Sequence, residues 1–210
     1  HYTDYLLAPA YSVLLVVTAC IMVLAVKWTV LGRVRPGVYD APGFFSLRKW
    51  FIDKLLDLQK DAIMPVYDTL YARPWCIGLG MKCGPRCEIA LPARLPYDLF
   101  ELGEEGFLAS DNSIGLPIRR NGKLKLEQTV TGKRVFIGNN SVIPQGRSIP
   151  DDTLLGALSV CPTTEQLGGI PNQSWLGSPA FKMPARQRFE QFDKEHTYKP
   201  TFRLYVERLV

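Results

Sequence analysis

Aliphatic residues recur at every sixth position in the middle of the chain. Counted from Ile137, four unbroken hexads run to Val160, with first places at Ile137, Ile143, Ile149 and Leu155. The second place is Gly or Pro, and the fifth place is mostly small. A short fixed period of this kind predicts a parallel β-helix, in which each hexad forms one flat side of a prism and its first residue points inward.

The same period continues on both sides in a weaker form. Further first places, with one slip of a residue, are Ile77, Cys83, Ile89, Leu95, Leu102, Leu108 and Ile114. The pattern breaks after Arg119, is recovered near Thr131, and ends in a last fragment that starts at Leu176. Because three sides make one coil, the spacing predicts about four to five coils with two excursions.

The fourth places of the hexads favour tight corners. Gly, Asn and Asp tolerate a positive φ or bond their own backbone in a turn. These places hold Gly80, Asp98, Asp111, Asn140, Gly146 and Asp152.

A long apolar segment lies near the start of the chain. Tyr5–Val26 contains no charged residue, and a helix of this length would span about 30 Å, the thickness of a hydrocarbon core. No basic residue precedes the segment and no small-residue cleavage site follows it, which argues against a signal peptide. A buried helix of a soluble protein is the other alternative. We expect a membrane span within residues 1–30.

The distribution of charge agrees with a membrane anchor. Basic residues follow the span and none precedes it, so the positive-inside rule predicts that the β-helix lobe lies in the cytoplasm. They are Lys27, Arg33, Arg35, Arg48, Lys49 and Lys54. The net charge of +5 is concentrated beside the span and in one loop, which indicates anionic lipid or a phosphorylated ligand rather than nucleic acid.

The cysteines indicate a reducing compartment. Their number is five, which is odd, and no secretory signal is present; free thiols are therefore expected. Cys83 and Cys87 have the spacing of half a metal site, but the hexad phase turns both inward. They are predicted to be core residues, and no metal is expected.

An amphipathic helix is predicted over residues 46–64. Ser46 is a plausible N-cap and Pro65 ends the helix. The apolar stripe consists of Leu47, Trp50, Phe51, Leu55, Leu58 and Ala62. This stripe can face lipid or pack on the β-helix, and the helix can also make both contacts at once.

The expected organisation has four parts and a mainly β fold. Residues 1–30 form the transmembrane helix, 31–73 the juxtamembrane segment, 74–186 the β-helix lobe with a loop over 119–130, and 187–210 a C-terminal extension. Because the chain starts at His1 and becomes apolar at once, we expect it to be a piece of a longer polypeptide.

Three stretches carry a resemblance to a known family. They are Lys27-Trp28-x2-Leu31-Gly32-Arg33-x-Arg35-Pro36-Gly37, Phe45-x-Leu47-Arg48-x-Trp50-Phe51-x-Asp53-x-Leu55, and Trp175-Leu176-Gly177-Ser178-Pro179-x-Phe181 with Pro184 and Arg186 beyond it. Together they resemble the repeated C-terminal membrane modules of the poly-ε-lysine synthetase type of non-ribosomal peptide synthetase. The resemblance covers nearly the whole chain, whereas the hexads alone indicate only a hexapeptide-repeat transferase-like lobe.

The resemblance implies a left-handed β-helix and amide-bond chemistry. In that family an adenylation domain activates an amino acid and loads it onto a phosphopantetheine carrier domain. Membrane modules then form amide bonds with amines. This chain would pass an acyl or aminoacyl group from a carrier-bound thioester to an amine, with membrane lipid, the adenylation and carrier domains of the parent chain and sister β-helix lobes as partners. The alternatives are a stand-alone acyltransferase that uses acyl-coenzyme A (CoA), and a non-catalytic platform that docks a carrier or a sister lobe.

Few residues are candidates for the chemistry. Amide formation needs a base for the ammonium proton and donors for the oxyanion. Hexapeptide acyltransferases generally supply a histidine near a coil edge, but the chain has only His1 and His196; His196 is a candidate base or a surface residue. Asp111 is the first candidate for binding the amine or accepting its proton; the alternative is that it only forms a coil corner. Asn112 is the second candidate; the alternative is that its side chain bonds the stacked backbone.

The loop that interrupts the hexads holds the densest basic cluster of the lobe. Its cations are Arg119, Arg120, Lys123 and Lys125. They are predicted to bind the phosphate of phosphopantetheine or of CoA. The alternative is a solvated hairpin tip with Asn121-Gly122 as its turn.

Overall fold

The computed structural model describes residues 2–184 and 201–207, apart from the side chains of 2–7 and 204–205. The helices are α1 (Tyr2–Val26), α2 (Phe44–Ile63), α3 (Ala72–Gly78), α4 (Thr164–Leu167) and α5 (Phe202–Glu207). One π-helical turn over Lys27–Leu31 continues α1, and short 3₁₀ turns cover Met64–Val66 and Tyr97–Leu99.

Short parallel strands build three faces of a coil. The first face holds β2 (Lys82–Cys83), β4 (Phe100–Leu102), β9 (Thr129–Thr131) and β12 (Ser148–Ile149). The second holds β3 (Glu88–Ile89), β5 (Phe107–Leu108), β10 (Phe136–Ile137), β13 (Leu154–Leu155) and β14 (Ser174–Leu176), with β15 (Phe181–Lys182) antiparallel at its edge. The third holds β6 (Ser113–Ile114) and β11 (Val142–Ile143), extended by single bridges to Arg94 and Val160.

The first places of the central hexads share one interior. In the second face Ile137 lies opposite both Leu108 and Leu155. Ile137 and Ile143 are fully buried, and Ile149 and Leu155 are 3% and 2% exposed. They belong to one hydrophobic cluster with Leu102 and Leu108 of the preceding coil and other buried residues. The predicted parallel β-helix is confirmed for this part of the chain.

The hexad phase is wrong at both ends of the column. Ile77 lies in α3 and is exposed, so the coils start at β2 rather than one side earlier. In the last coil Trp175 lies opposite Leu155 and is buried, and Leu176 is only partly buried. The inward residue is therefore one position before the one that the spacing predicts, because the loop that contains α4 resets the register.

Most of the predicted corner residues adopt the left-handed backbone conformation. Asp111, Asn140 and Asp152 have φ between 55° and 60°, where a short polar side chain costs little. Asp98 differs, because it lies in the 3₁₀ turn Tyr97–Leu99 and forms an ion pair instead of a coil corner.

The excursion after the second coil is a hairpin. Strands β7 (Ile118–Arg120) and β8 (Lys123–Leu126) are antiparallel, and β8 also pairs with β1 (Gly37–Asp40) of the juxtamembrane segment. The buried side chains of β8, Leu124 and Leu126, form a second cluster with Val34 and Leu99. The hairpin therefore fixes the juxtamembrane segment to the lobe.

The C-terminal half of α1 packs on the lobe. Ala19, Val23 and Lys27, spaced four residues apart, are buried. The Lys27 ammonium lies 3.0 Å from a carboxylate oxygen of Asp98, and Trp28 Nε1 donates to the Gly78 carbonyl at 2.8 Å. The helical stretch Ala8–Leu31 is long and apolar enough to cross a membrane, and only 11% of its most apolar window is buried in the fold.

Helix α2 has two apolar faces. It begins at Phe44, so Ser46 lies inside the first turn; its hydroxyl donates to the Asp40 carbonyl at 2.6 Å and does not cap the helix. Ile52 and Ile63 are buried against the rest of the protein. The exposed side chains of the other face are Phe44, Leu47, Trp50, Phe51 and Leu58. The predicted stripe therefore mostly faces away from the β-helix.

The four lobe cysteines are expected to differ in reactivity. Burial raises the pKa of Cys76 and of Cys161 to about 12. The hydrogen bond from the Cys83 thiol lowers the pKa of Cys87, and the same bond raises the pKa of Cys83. Because the thiolate is the nucleophile, limiting iodoacetamide at pH 8 should label Cys87 first, as read by peptide mass spectrometry. Equal early labelling of Cys76 would contradict this order.

Candidate functional site

A cleft of about 160 Å³ lies between α2 and the β-helix. Residues 91–97 and 114–117 form one wall, and one side of α2 forms the other. Asp53, Leu56, Asp57 and Lys60 line the cleft, and their three- and four-residue spacing places them on the same face of a helix. A cavity of about 150 Å³ accommodates a ligand of the size of benzene.

Three aromatic side chains at the cleft share a hydrogen-bond network. The hydroxyl oxygens of Tyr67 and Tyr97 are 2.7 Å apart, and Trp75 Nε1 donates to the Tyr67 oxygen at 3.0 Å. Burial raises the pKa of both tyrosines above the ordinary value, so both remain protonated at neutral pH. The two O–H groups share a single mutual bond, and neither has a further acceptor within the described part of the chain. One phenolic hydrogen is therefore free to donate.

The rim of the cleft carries more positive than negative charge. Lys49 pairs with Asp53 at 2.8 Å, and Lys54 pairs with Asp57 at 3.3 Å. Lys60 and Arg94 also line the cleft. Neither of these two side chains has an ion pair or hydrogen bond to any described residue.

Asp111 and Asn112 lie at a coil corner and do not line this cleft. Asp111 is exposed, and its backbone N–H donates to the Leu91 carbonyl at 2.9 Å. Asn112 is fully buried; its Nδ2 donates to the Ala109 carbonyl at 2.6 Å, and its Oδ1 accepts from the Ser141 N–H at 2.8 Å. The Asn112 amide thus satisfies stacked backbone groups.

The basic hairpin is only partly available to a ligand. Lys123 pairs with Asp40 at 2.6 Å and Lys125 with Glu127 at 2.7 Å. Arg119 and Arg120 are exposed, and within residues 2–184 and 201–207 they have no ion-pair partner. Asn121 and Gly122 both have positive φ, as a type I′ hairpin turn requires. His196 lies outside the described residues.

Sequence reasoning missed the residues that line the cleft. A weak signal was on α2, where Asp53, Asp57 and Lys60 follow one another at helical spacing on the polar side. Tyr67 and Tyr97 are thirty residues apart, and no spacing rule relates them. They meet because the first coil brings the loop before the 3₁₀ turn Tyr97–Leu99 against the end of α2.

Comparison with known proteins relates the chain to one long synthetase. No family model matches. The chain is 31% identical over 207 residues to Delta-poly-L-ornithine synthetase of Acinetobacter baumannii (strain AB307-0294). Similar solved structures are a maltose O-acetyltransferase from Clostridium difficile 630 (14% identity, TM-score 0.46, covering 77% of this chain and 97% of that chain) and a hexapeptide-repeat-containing acetyltransferase from Vibrio cholerae O1 biovar eltor complexed with acetyl-CoA (12% identity, TM-score 0.46, 81% and 88%). The match to the synthetase covers 99% of this chain, and the chain spans 15% of that relative's length.

Proposed function

We propose that this chain is a membrane-anchored transferase module of a non-ribosomal peptide synthetase-like enzyme, which passes an acyl or aminoacyl group from a carrier-bound thioester to an amine. The observation that carries the proposal is the 31% identity along almost the whole chain to a segment of a poly-ornithine synthetase. That name describes ornithine rather than lysine, so both diamino acids are candidate building blocks. Adenylation and carrier domains would lie elsewhere in the parent polypeptide.

The proposed reaction takes place in the cleft. The amine nitrogen attacks the thioester carbonyl carbon, the C–S bond breaks, and the leaving thiolate takes up a proton. Asp53 and Asp57 stand on the rim, where a carboxylate can accept the proton that the ammonium loses. The apolar wall formed by Leu56, Ile63 and Leu95 excludes water and thereby favours attack by the amine over hydrolysis. Asp111 is an alternative proton acceptor if the amine approaches from the coil corner.

Phosphopantetheine would present the acyl group as a thioester on a carrier domain. Arg119 and Arg120 fit its phosphate by charge, because both are exposed. Among the described residues, neither has an ion-pair partner that would compete with the phosphate. Lys123 and Lys125 fit it less well, because each already pairs with a carboxylate. We therefore expect carrier docking near the hairpin to depend on the two arginines. Free acyl-CoA would use the same two charges.

Membrane attachment is the second part of the proposal. Helix α1 would span the bilayer, and the outward face of α2 would lie in the interface beside it. Thr29, Val30, Phe44, Trp50 and neighbouring residues of α2 line an open apolar groove between the two helices, which would be covered by lipid. Arg33 and Arg35 follow the span, which would place a left-handed β-helix lobe on the cytoplasmic side, where sister lobes could pack against it.

The test is a single-turnover assay with the parent synthetase. Its carrier is loaded with a radiolabelled aminoacyl group, free amine is added, and thioester and amide are quantified after quenching. Deletion of residues 1–210 should leave thioester loading intact and abolish amide formation. Unchanged amide formation by the deletion variant would reject the transfer role and leave a docking platform as the function.

A further inference from the structure

We infer that the cleft between α2 and the β-helix is a binding site for a small carboxylate ligand, with Lys60 and Arg94 holding the carboxylate and the free tyrosine hydroxyl donating to a second oxygen of the ligand. The inference deepens the proposed function, because an amino acid that accepts an acyl group on its amine can keep its carboxylate free.

The cations that line the cleft outnumber the carboxylates. The two carboxylates of the rim are each paired with a lysine of α2 that lies about one turn away, at 2.8 and 3.3 Å. Lys60 on α2 and Arg94 on the opposite wall are left without an anionic partner in the described residues. Two unpaired cations on either side of one cleft favour an anion, and a guanidinium binds a carboxylate in bidentate geometry.

The tyrosine pair at the cleft has one hydrogen-bond donor more than it uses. Tyr67 is only 6% exposed, and together with Tyr97 it holds one phenolic hydrogen that no described residue accepts. A buried donor without an acceptor is costly. A carbonyl or carboxylate oxygen of a ligand in the cleft would accept this hydrogen bond. The donor and the cations line the same space.

The size of the cleft matches a small amino acid. The cleft of about 160 Å³ is close to the volume that accommodates a benzene-sized molecule. An amino acid with a short aliphatic side chain fits, and its methylene groups would contact Leu56, Ile63 and Leu95. A complete phosphopantetheine arm is several times larger and would not be enclosed.

The experiment measures ligand binding by the intact chain in lipid nanodiscs, by calorimetry. The probes are L-ornithine, L-norvaline, which lacks the side-chain amine, and putrescine, which lacks the carboxylate. Ornithine and norvaline should bind, and putrescine should bind at least about 10-fold more weakly, because a charge-assisted hydrogen bond is worth about 1.5–3 kcal/mol. Equal binding of putrescine and ornithine would overturn the carboxylate assignment, as would inorganic phosphate that displaces ornithine at equal concentration.

Variants test the residue assignments. Arg94→Gln and Lys60→Gln should each weaken ornithine binding by about 10-fold or more without changing putrescine binding. Lys182→Gln, which removes an exposed cation remote from the cleft lining, is the matched control and should change neither. Tyr67→Phe combined with Tyr97→Phe removes the free hydroxyl and should weaken ornithine about 10-fold. Wild-type affinity in the Arg94 and Lys60 variants would reject the site even if the tyrosine variant fails to fold.

The experiments distinguish a failure of the carboxylate site from a failure of the proposed function. If the parent synthetase needs this lobe for amide formation but Arg94→Gln and Lys60→Gln leave both binding and transfer unchanged, only the carboxylate site is wrong. If the carboxylate probes bind as expected and the lobe-deleted parent still forms amide, the transfer role is wrong and the site stands.

Discussion

Replacement of Asp98 by alanine is expected to destabilise the protein by about 3–5 kcal/mol, because it leaves a buried ammonium without its counterion. The Lys27 and Asp98 side chains are 3% and 6% exposed, and the joined atoms are 3.0 Å apart. The ammonium also lies 3.6 Å from the centroid of the Trp28 ring, whose attraction is weaker than that of a carboxylate. Chemical denaturation in detergent micelles measures the loss.

A paired substitution is the control for the Asp98 variant. Lys27→Met combined with Asp98→Leu replaces both charges by apolar groups, and buried pairs replaced in this way are often neutral or more stable. The double variant should therefore recover most of the loss. If the free energy of unfolding of the Asp98→Ala variant lies within about 1 kcal/mol of the wild-type value, the Lys27 ammonium reaches water and the account of a buried ion pair is wrong.

Replacement of Ile143 by alanine is expected to lower the free energy of unfolding by about 2–5 kcal/mol, through lost apolar burial and the cavity that remains. Ile143 is fully buried in the column, where it lies opposite Ile114 of the coil before. Val142, its neighbour on the same strand, is 39% exposed. Val142→Ala should cost less than about 0.5 kcal/mol. Equal losses for the two variants would contradict the inward assignment of the first place.

The column was predictable because each short strand buries one side chain at a fixed place. Three positions of the hexad carry separate constraints: an aliphatic residue inside, Gly or Pro after it, and a small residue at the corner. Between Ile137 and Val160 those constraints agree, apart from Arg147 at one fifth place, and there the structure follows them. They fail at Ile77 because α3, rather than a strand, leads into the first coil.

Helix α2 shows where a pattern is ambiguous in principle. Its strongest apolar stripe, which includes Leu47 and Trp50, faces outward, and Ile52 and Ile63 make the contact with the lobe. Hydrophobic periodicity identifies a face that avoids water, but it does not distinguish lipid from protein as the partner. The sequence therefore left both alternatives open.

The cleft was not predictable because its members come from separate elements. Lys60 belongs to α2, Arg94 to a coil that has no regular strand at that point, and Tyr67 to the connection between them. Only the docking of α2 on the coil brings them together. The structure places the predicted residue Asp111 at an exposed corner and Asn112 among stacked backbone groups, so neither lines the cleft.

The proposal that the reaction takes place in the cleft is tested most directly by the single-turnover rate of amide formation in a variant whose cleft is filled by a larger side chain. Ala93 lines the cleft, and Ala93→Trp would occupy most of its volume. In the parent synthetase this variant should lose amide formation by about 100-fold, because the reacting groups can no longer be positioned. Its thioester loading should stay at the wild-type level. The control variant is Ala157→Trp, at an exposed corner, and it should form amide at the wild-type rate. An Ala93→Trp enzyme that also transfers at the wild-type rate would contradict the assignment of the reaction to this cleft.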